Sequence, residues 1–246
     1  MADVYAALDM ALQRLVVVKR LHPELAGDPL ATERLRREGE ALAGIGSRHV
    51  VALHDVGADY LVLERIHGLT LEQELERFGP LRPDRACRIA LDVLAGLSAI
   101  HERNLVHRDL KPANVMLDLE DRAILLDLGI ARHPRQRRLT PPGFAAGTPA
   151  YMAPEQVELA SALDARVDIY QLGVLLVLAT TGIELDREHG HEALFKLPGP
   201  LIDVALRAIA PAGVRFPSTA AMEHAVVEAM RALERTWPAE QWLRCN

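Results

Sequence analysis

The dominant hydrophobic period changes once along this chain, near residue 67, and that change limits the fold more than any other feature. Up to residue 66 apolar side chains come in short β-branched runs; from residue 69 they recur at helical spacing. Leu15-Val16-Val17-Val18-Lys19 reads as a buried strand, and residues 50–53 and 60–63 as two more, the latter pair joined tightly through Gly57-Ala58-Asp59. Among them Pro29–Ala43 reads as a helix, closed by Gly44 and Gly46. Residues 70–78 and 83–103 are amphipathic helices, residues 115–117 and 124–126 short strands, and the chain is helical again after about residue 155. The expected class is α+β: a small β-rich lobe, residues 1–66, followed by a larger helical lobe, residues 67–246.

Composition removes several functions. Half of the 246 residues are hydrophobic and a quarter are charged, which excludes a disordered, collagenous or coiled-coil chain. Lys plus Arg number 28 against 34 Asp plus Glu, a net charge of −6 with no general attraction to nucleic acid or anionic lipid. Aromatic residues at 4% argue against base stacking. Two cysteines, Cys87 and Cys245, make no disulfide framework and suit a reducing cytoplasm. The longest apolar run, residues 172–179, is far short of the ~20 residues of a membrane span. The N-terminus has no basic segment followed by an apolar one, so no signal peptide is expected.

Two ionisable residues sit where apolar ones are expected. Strand alternation puts Lys19 on one face with Leu15, Val17 and Leu21. Helical spacing puts Glu38 on the stripe of Ala31, Leu35 and Leu42. Either the two pair, since burying one alone is costly, or the carboxylate reaches water at the edge of its stripe.

The chemistry-bearing residues form three motifs in order. His107-Arg108-Asp109-Leu110-Lys111-Pro112-Ala113-Asn114 follows the long helix; Asp127-Leu128-Gly129 stands at a strand end; Gly147-Thr148-Pro149-Ala150-Tyr151-Met152-Ala153-Pro154-Glu155 comes next. Together they resemble the protein kinases, in particular the bacterial serine/threonine type, and the resemblance runs from Val4 to Arg215. It implies a two-lobed fold and transfer of the γ-phosphate of ATP to protein serine or threonine hydroxyls, with autophosphorylation. Phosphoryl transfer needs positioning and charge neutralisation more than covalent help. By the resemblance, Asp109 accepts the substrate proton and Lys111 neutralises the transferring phosphate. Asn114 and Asp127 offer hard oxygens to Mg²⁺ or Mn²⁺. Lys19 falls at the family's ATP-phosphate lysine and Glu38 at its helix partner.

Further positions follow from the resemblance alone. Val4 and Val17 roof the adenine, Met116 lies beneath it, and Glu64 and Ile66 offer backbone groups at the hinge. Leu42, Leu53, Leu128 and His107 match a stack linking the lobes, Asp168 the aspartate that holds the catalytic loop, and Glu155 with Arg215 a buried brace. Between Asp127 and Glu155 the only hydroxyls apart from Tyr151 are Thr140 and Thr148. Thr148 matches a residue that contacts the catalytic aspartate. Thr140, behind Arg135, Arg137 and Arg138, is the candidate phosphosite, with Arg108 placed to pair with its phosphate.

The chain departs from the family at its start. Its first glycine is Gly27, so the Gly-rich loop is missing: residues 1–5 match only the end of that loop, with Ala2 at its third glycine, and the first strand is expected to lie before Met1. Leu128 stands for the usual phenylalanine, Val17 for an alanine, and residues 182–200 are short where the family docks substrates. The alternatives to an active kinase are a pseudokinase or scaffold with weak nucleotide binding, and a small-molecule phosphotransferase with a similar Asp…Asn…Asp layout. The Gly147-to-Glu155 segment, which resembles a peptide platform, argues against the latter.

Overall fold

A computed structural model of the protein describes residues 2–128, 151–158, 163–185 and 190–236. In the small lobe, β1 (Ala2–Asp9) and β2 (Arg14–Leu21) pair antiparallel at every position, from Ala2 opposite Leu21 to Asp9 opposite Arg14. A helix, α1 (Pro29–Ala43), follows, and β3 (Leu53–Val56) and β4 (Tyr60–Glu64) complete a sheet ordered β1-β2-β4-β3. The start of α1 is set by Pro29 behind Asp28, whose carboxylate accepts from Leu30 N at 2.9 Å. Ala31, Leu35, Glu38 and Leu42 are its buried stripe, as the spacing predicts. A Cβ on Gly39 would lie 2.9 Å from Leu61 Cδ2, so glycine there lets α1 sit close over β4.

In the large lobe β5 (Gly68–Thr70), β6 (Val115–Asp118) and β7 (Ala123–Leu125) form a second sheet, in that order. Around it stand α2 (Leu71–Phe78), α3 (Pro83–His101), α4 (Pro154–Val157), α5 (Arg166–Thr181), α6 (Gly190–Lys196), α7 (Gly199–Ala208) and α8 (Thr219–Thr236). Thr70 caps α2 in a reciprocal box with Gln73. Val167, Ile169, Leu172, Leu175, Leu176 and Val177 are all buried, so α5 is enclosed on every side. Its two buried polar residues, Asp168 and Gln171, are three apart and share a face. One apolar cluster runs from Leu35 and Leu61 through Leu97 and Leu125 to Leu172 and Phe216. Among the described residues no helix is long and apolar enough to cross a membrane.

Several elements differ from their sequence reading. Residues 50–53 are not a strand of the small sheet; β3 starts at Leu53, and Val50 makes an isolated parallel bridge to Leu125. The backbone there is claimed by the large lobe: Leu125 N donates to His49 O and Val51 N to Leu125 O, both at 2.9 Å. α3 closes over this link at Gly96, where a Cβ would come within 2.7 Å of His49 O. Residues 2–5, matched to the end of a loop, belong to β1, because β2 pairs with them along their whole length. α3 ends at His101, two residues early, and Asn104 at φ 56° turns the chain away. β7 ends at Leu125, because Leu126 N turns to Asn114 O at 2.9 Å.

Candidate active site

Register decides where Lys19 points. It lies opposite Val4 on β1 and Leu61 on β4, so its side chain shares a face with the fully buried Leu61, beneath α1. From there Lys19 Nζ is 2.7 Å from Glu38 Oε1 and 2.7 Å from Asp127 Oδ1. The open question about Glu38 is thereby answered: it is 4% exposed and paired. Burial alone pushes the Lys19 ammonium toward neutrality; the Glu38 and Asp127 carboxylates reverse that and hold its pKa above the ordinary lysine value. Lys19 therefore stays charged at neutral pH.

The second group lies on the loop before β6. Asn114 Nδ2 donates to Asp109 O at 2.7 Å and to Asp109 Oδ2 at 2.9 Å, and Lys111 Nζ is 3.7 Å from that same Oδ2. The Leu126 N–Asn114 O bond ties this loop to the segment carrying Asp127. The donor set suits a hard divalent cation. The Asn114 amide is fixed by its two donated bonds, which turns its oxygen away from Asp109, and the Asp127 carboxylate is 46% exposed. Among the described residues no group of three or more His, Cys, Asp or Glu side chains forms a metal cage. A cation here would take its remaining ligands from phosphate and water, the usual mode for Mg²⁺.

Two residues of the site hold strained backbone: Arg108 at φ 65° and Asp127 at φ 40°. The surroundings of Arg108 over-determine it. Asp168, fully buried, accepts from His107 N at 2.9 Å and Arg108 N at 2.8 Å. Gln156 Nε2 and Gln171 Nε2 donate to Arg108 O at 3.0 and 3.2 Å, and Leu110 N donates to Gln171 Oε1 at 3.0 Å. His101 Nε2 donates to Asp168 Oδ2 at 2.7 Å. His107, also fully buried, donates from Nε2 to Leu126 O at 3.0 Å and accepts from Asp109 N at Nδ1, 3.3 Å away. Sequence reading missed His101, Gln156 and Gln171. The signal for Gln171 was present: a polar residue three after Asp168 on an otherwise apolar helix. Gln171→Ala strands the buried Leu110 N–H, so it is expected to lower stability by about 1–3 kcal/mol. Urea unfolding measures this, and an unchanged midpoint would show that Gln171 does not hold the loop.

Arg215, 3% exposed, donates from Nη1 to Glu155 Oε1 at 2.6 Å and to Arg166 O at 2.7 Å, and from Nε to Ala210 O at 3.0 Å. Leu42 and Leu128 are in the core cluster, with Leu53, Val17, Ile66 and Met116 packed against it. Val4 is exposed. The N–H of Glu64 donates to Ala52 O at 2.8 Å. Gly129, Arg135, Arg137, Arg138, Thr140, Gly147, Thr148 and Cys245 lie outside the described residues.

The lysine of one lobe thus meets the aspartate after β7 in the other, 108 residues away, and the model of the protein kinase domain matches residues 1–198. This chain belongs to the protein kinase domain family. Its kinase domain is 39% identical over 185 residues to the serine/threonine-protein kinase PknL of Mycobacterium tuberculosis, covering 74% of this chain and 46% of that protein. It is 35% identical over 192 residues to PknB of the same species, with 74% and 30% covered. To the probable serine/threonine-protein kinase pknA2 of Bifidobacterium longum it is 34% identical over 204 residues, with 80% and 27% covered. The chain spans less than half the length of these curated relatives.

Proposed function

We propose that this chain is an ATP-dependent serine/threonine protein kinase acting in the cytoplasm on protein hydroxyls, its own included. The observation that carries the reading is the three-way contact of Lys19 with Glu38 and Asp127. It sets a permanent positive charge in the cleft, next to the half-exposed carboxylate of Asp127.

Each residue then has a task. Lys19, held by Glu38, binds and orients the phosphates of ATP, while Val4, Val17 and Met116 enclose the adenine and Ile66 meets it at the hinge. Asn114 and Asp127 would hold Mg²⁺ or Mn²⁺, which when bound draws charge off the phosphates. Asp109 takes the proton of the acceptor hydroxyl as its oxygen bonds to the γ-phosphorus and the bond to the ADP oxygen breaks. Lys111, beside Asp109, neutralises the transferring group. Asp168 and His107 keep the loop in its strained shape, and Glu155 with Arg215 fixes the platform on which a peptide would rest. A labelled-ATP assay with divalent metal on a generic basic protein tests the reading: phosphate on serine or threonine is expected, and none at any ATP concentration would overturn it.

Thr140 is expected to be the autophosphorylation site. Arg108 Nε is buried with no hydrogen-bond partner among the described residues, which supports its pairing with an added phosphate. Mass spectrometry after incubation with Mg-ATP measures this; phosphate on other residues but never on Thr140 would refute it.

A further inference from the structure

Gly39 stands where a helix is better served by another residue. It is a buried, interior position of α1, and glycine there weakens the helix relative to alanine. Backbone geometry does not ask for it: among the described glycines only Gly79 and Gly182 have positive φ. What Gly39 supplies is space. A Cβ at this position would lie 2.9 Å from Leu61 Cδ2 and 3.1 Å from Val56 Cγ2, closer than carbon atoms normally approach.

The place of this contact gives it a consequence. Gly39 directly follows Glu38 in α1, and Leu61 lies directly opposite Lys19 in the sheet. Helix and sheet therefore make their close approach beside the Lys19–Glu38 pair, whose Nζ–Oε1 distance is 2.7 Å. The two side chains facing Gly39 differ. Val56 is 41% exposed and can turn aside, but Leu61 is fully buried in close-packed core and has nowhere to go. Ordinary carbon contacts lie at about 3.5–4.0 Å, so a side chain at position 39 would drive α1 outward by about 0.6 Å or more. Lys19 would not follow, because Asp127 of the large lobe also holds its Nζ at 2.7 Å. The bond to Glu38, lengthened by as much, would pass the ~3.2 Å limit of a good N–H···O hydrogen bond.

We propose that Gly39 is a positioning residue: its missing side chain sets the distance of α1 from β4 at which Glu38 can hold Lys19, and through that pair the affinity for the phosphates of ATP. The proposal rests on the kinase reading above and adds to it a residue that acts only through Glu38.

The test is a set of variants of the full chain, with Mg-ATP affinity measured by calorimetry. One methyl group is a small overpacking and alanine is the better helix former, so Gly39→Ala is expected to fold. It is expected to bind Mg-ATP about tenfold more weakly than the wild type, with the KM for a generic basic protein unchanged. Adding Leu61→Val, which removes the Cδ atoms that stand in the way, is expected to restore most of the affinity relative to Leu61→Val alone. In a Glu38→Gln background the pair is already lost, so Gly39→Ala is expected to change the affinity there by less than about twofold. A role in packing alone would cost the same factor in both backgrounds. Unchanged affinity in Gly39→Ala, no recovery with Leu61→Val, or an undiminished effect beside Glu38→Gln would each overturn the proposal. Absence of both Mg-ATP binding and transfer by the wild type would overturn the kinase reading. Urea midpoints still decide the positioning in that event: Glu38→Gln is expected to cost the wild type more stability than it costs Gly39→Ala, and an equal cost would overturn it.

Discussion

Asp109→Asn is expected to lower phosphoryl transfer by about 10²–10⁴-fold, the range of a positioned general base, and to leave the melting temperature near that of the wild type. The substitution keeps the shape of the side chain and an oxygen for the bond from Asn114 Nδ2, now 2.9 Å from Asp109 Oδ2. The backbone around it is held by other groups: Asp109 O by the same amide, and the two preceding residues by Asp168. What is lost is the proton acceptor and the negative charge facing Lys111. Lys19, Glu38, Asn114 and Asp127 are untouched, so the loss belongs in kcat rather than in the KM for ATP. Steady-state kinetics with both substrates varied, beside a thermal melt, checks this. Transfer within tenfold of the wild type would remove Asp109 from the mechanism.

Arg215→Ala is expected to destabilise the protein by about 3–5 kcal/mol, the cost of breaking a buried, fully hydrogen-bonded charge pair. The guanidinium side chain is completely buried and stacks 5.1 Å from the centroid of the Tyr170 ring. Removing it strands the carbonyls of Ala210 and Arg166 as well as the Glu155 carboxylate. That carboxylate keeps 21% exposure, so water recovers part of its solvation and the lower half of the range is favoured. The pair also has a pH signature. Burial pushes the Glu155 carboxyl up, but the Arg215 hydrogen bonds overcome this and hold it below the ordinary glutamate value. With the folded pKa depressed, the stabilisation is fully present above the unfolded value of about 4.3 and is lost as pH falls through the folded one. The stability gap between wild type and Glu155→Gln should therefore narrow toward acid and be constant from about pH 5.5 upward. Denaturant melts across that range measure it; a melt unchanged by Arg215→Ala would show that the pair braces nothing.

What sequence conveyed about the site divides by the range of the interaction. Lys19 and Glu38 were conspicuous because each breaks a local hydrophobic period, and periods are set by backbone geometry within one element. Asp109, Asn114 and Asp127 were legible only through the resemblance of their motifs to those of the protein kinases. His101 was not: a histidine near the end of an amphipathic helix looks ordinary until Asp168, 67 residues later, comes within 2.7 Å. The misplaced strand at residues 50–53 fails for the same reason. Val50 and Val51 have the composition of a strand, but their backbone partners are Leu125 and its neighbours in the other lobe. Arg215 lies beyond the residues matched by the family model, and only the resemblance suggested its pairing with Glu155.

By itself the sequence determined the division into a β-rich and a helical lobe and the extent of α1 to the residue. Both follow from local periodicity and capping. The tertiary structure alone decided that Lys19 holds Asp127 as well as Glu38, that the strained Arg108 is clamped from α5 by Asp168 and Gln171, and that Gly39 brings α1 against Leu61, opposite Lys19. Those are contacts between residues far apart in the chain, fixed by strand register and by how closely helices pack, and no period within a single element encodes them.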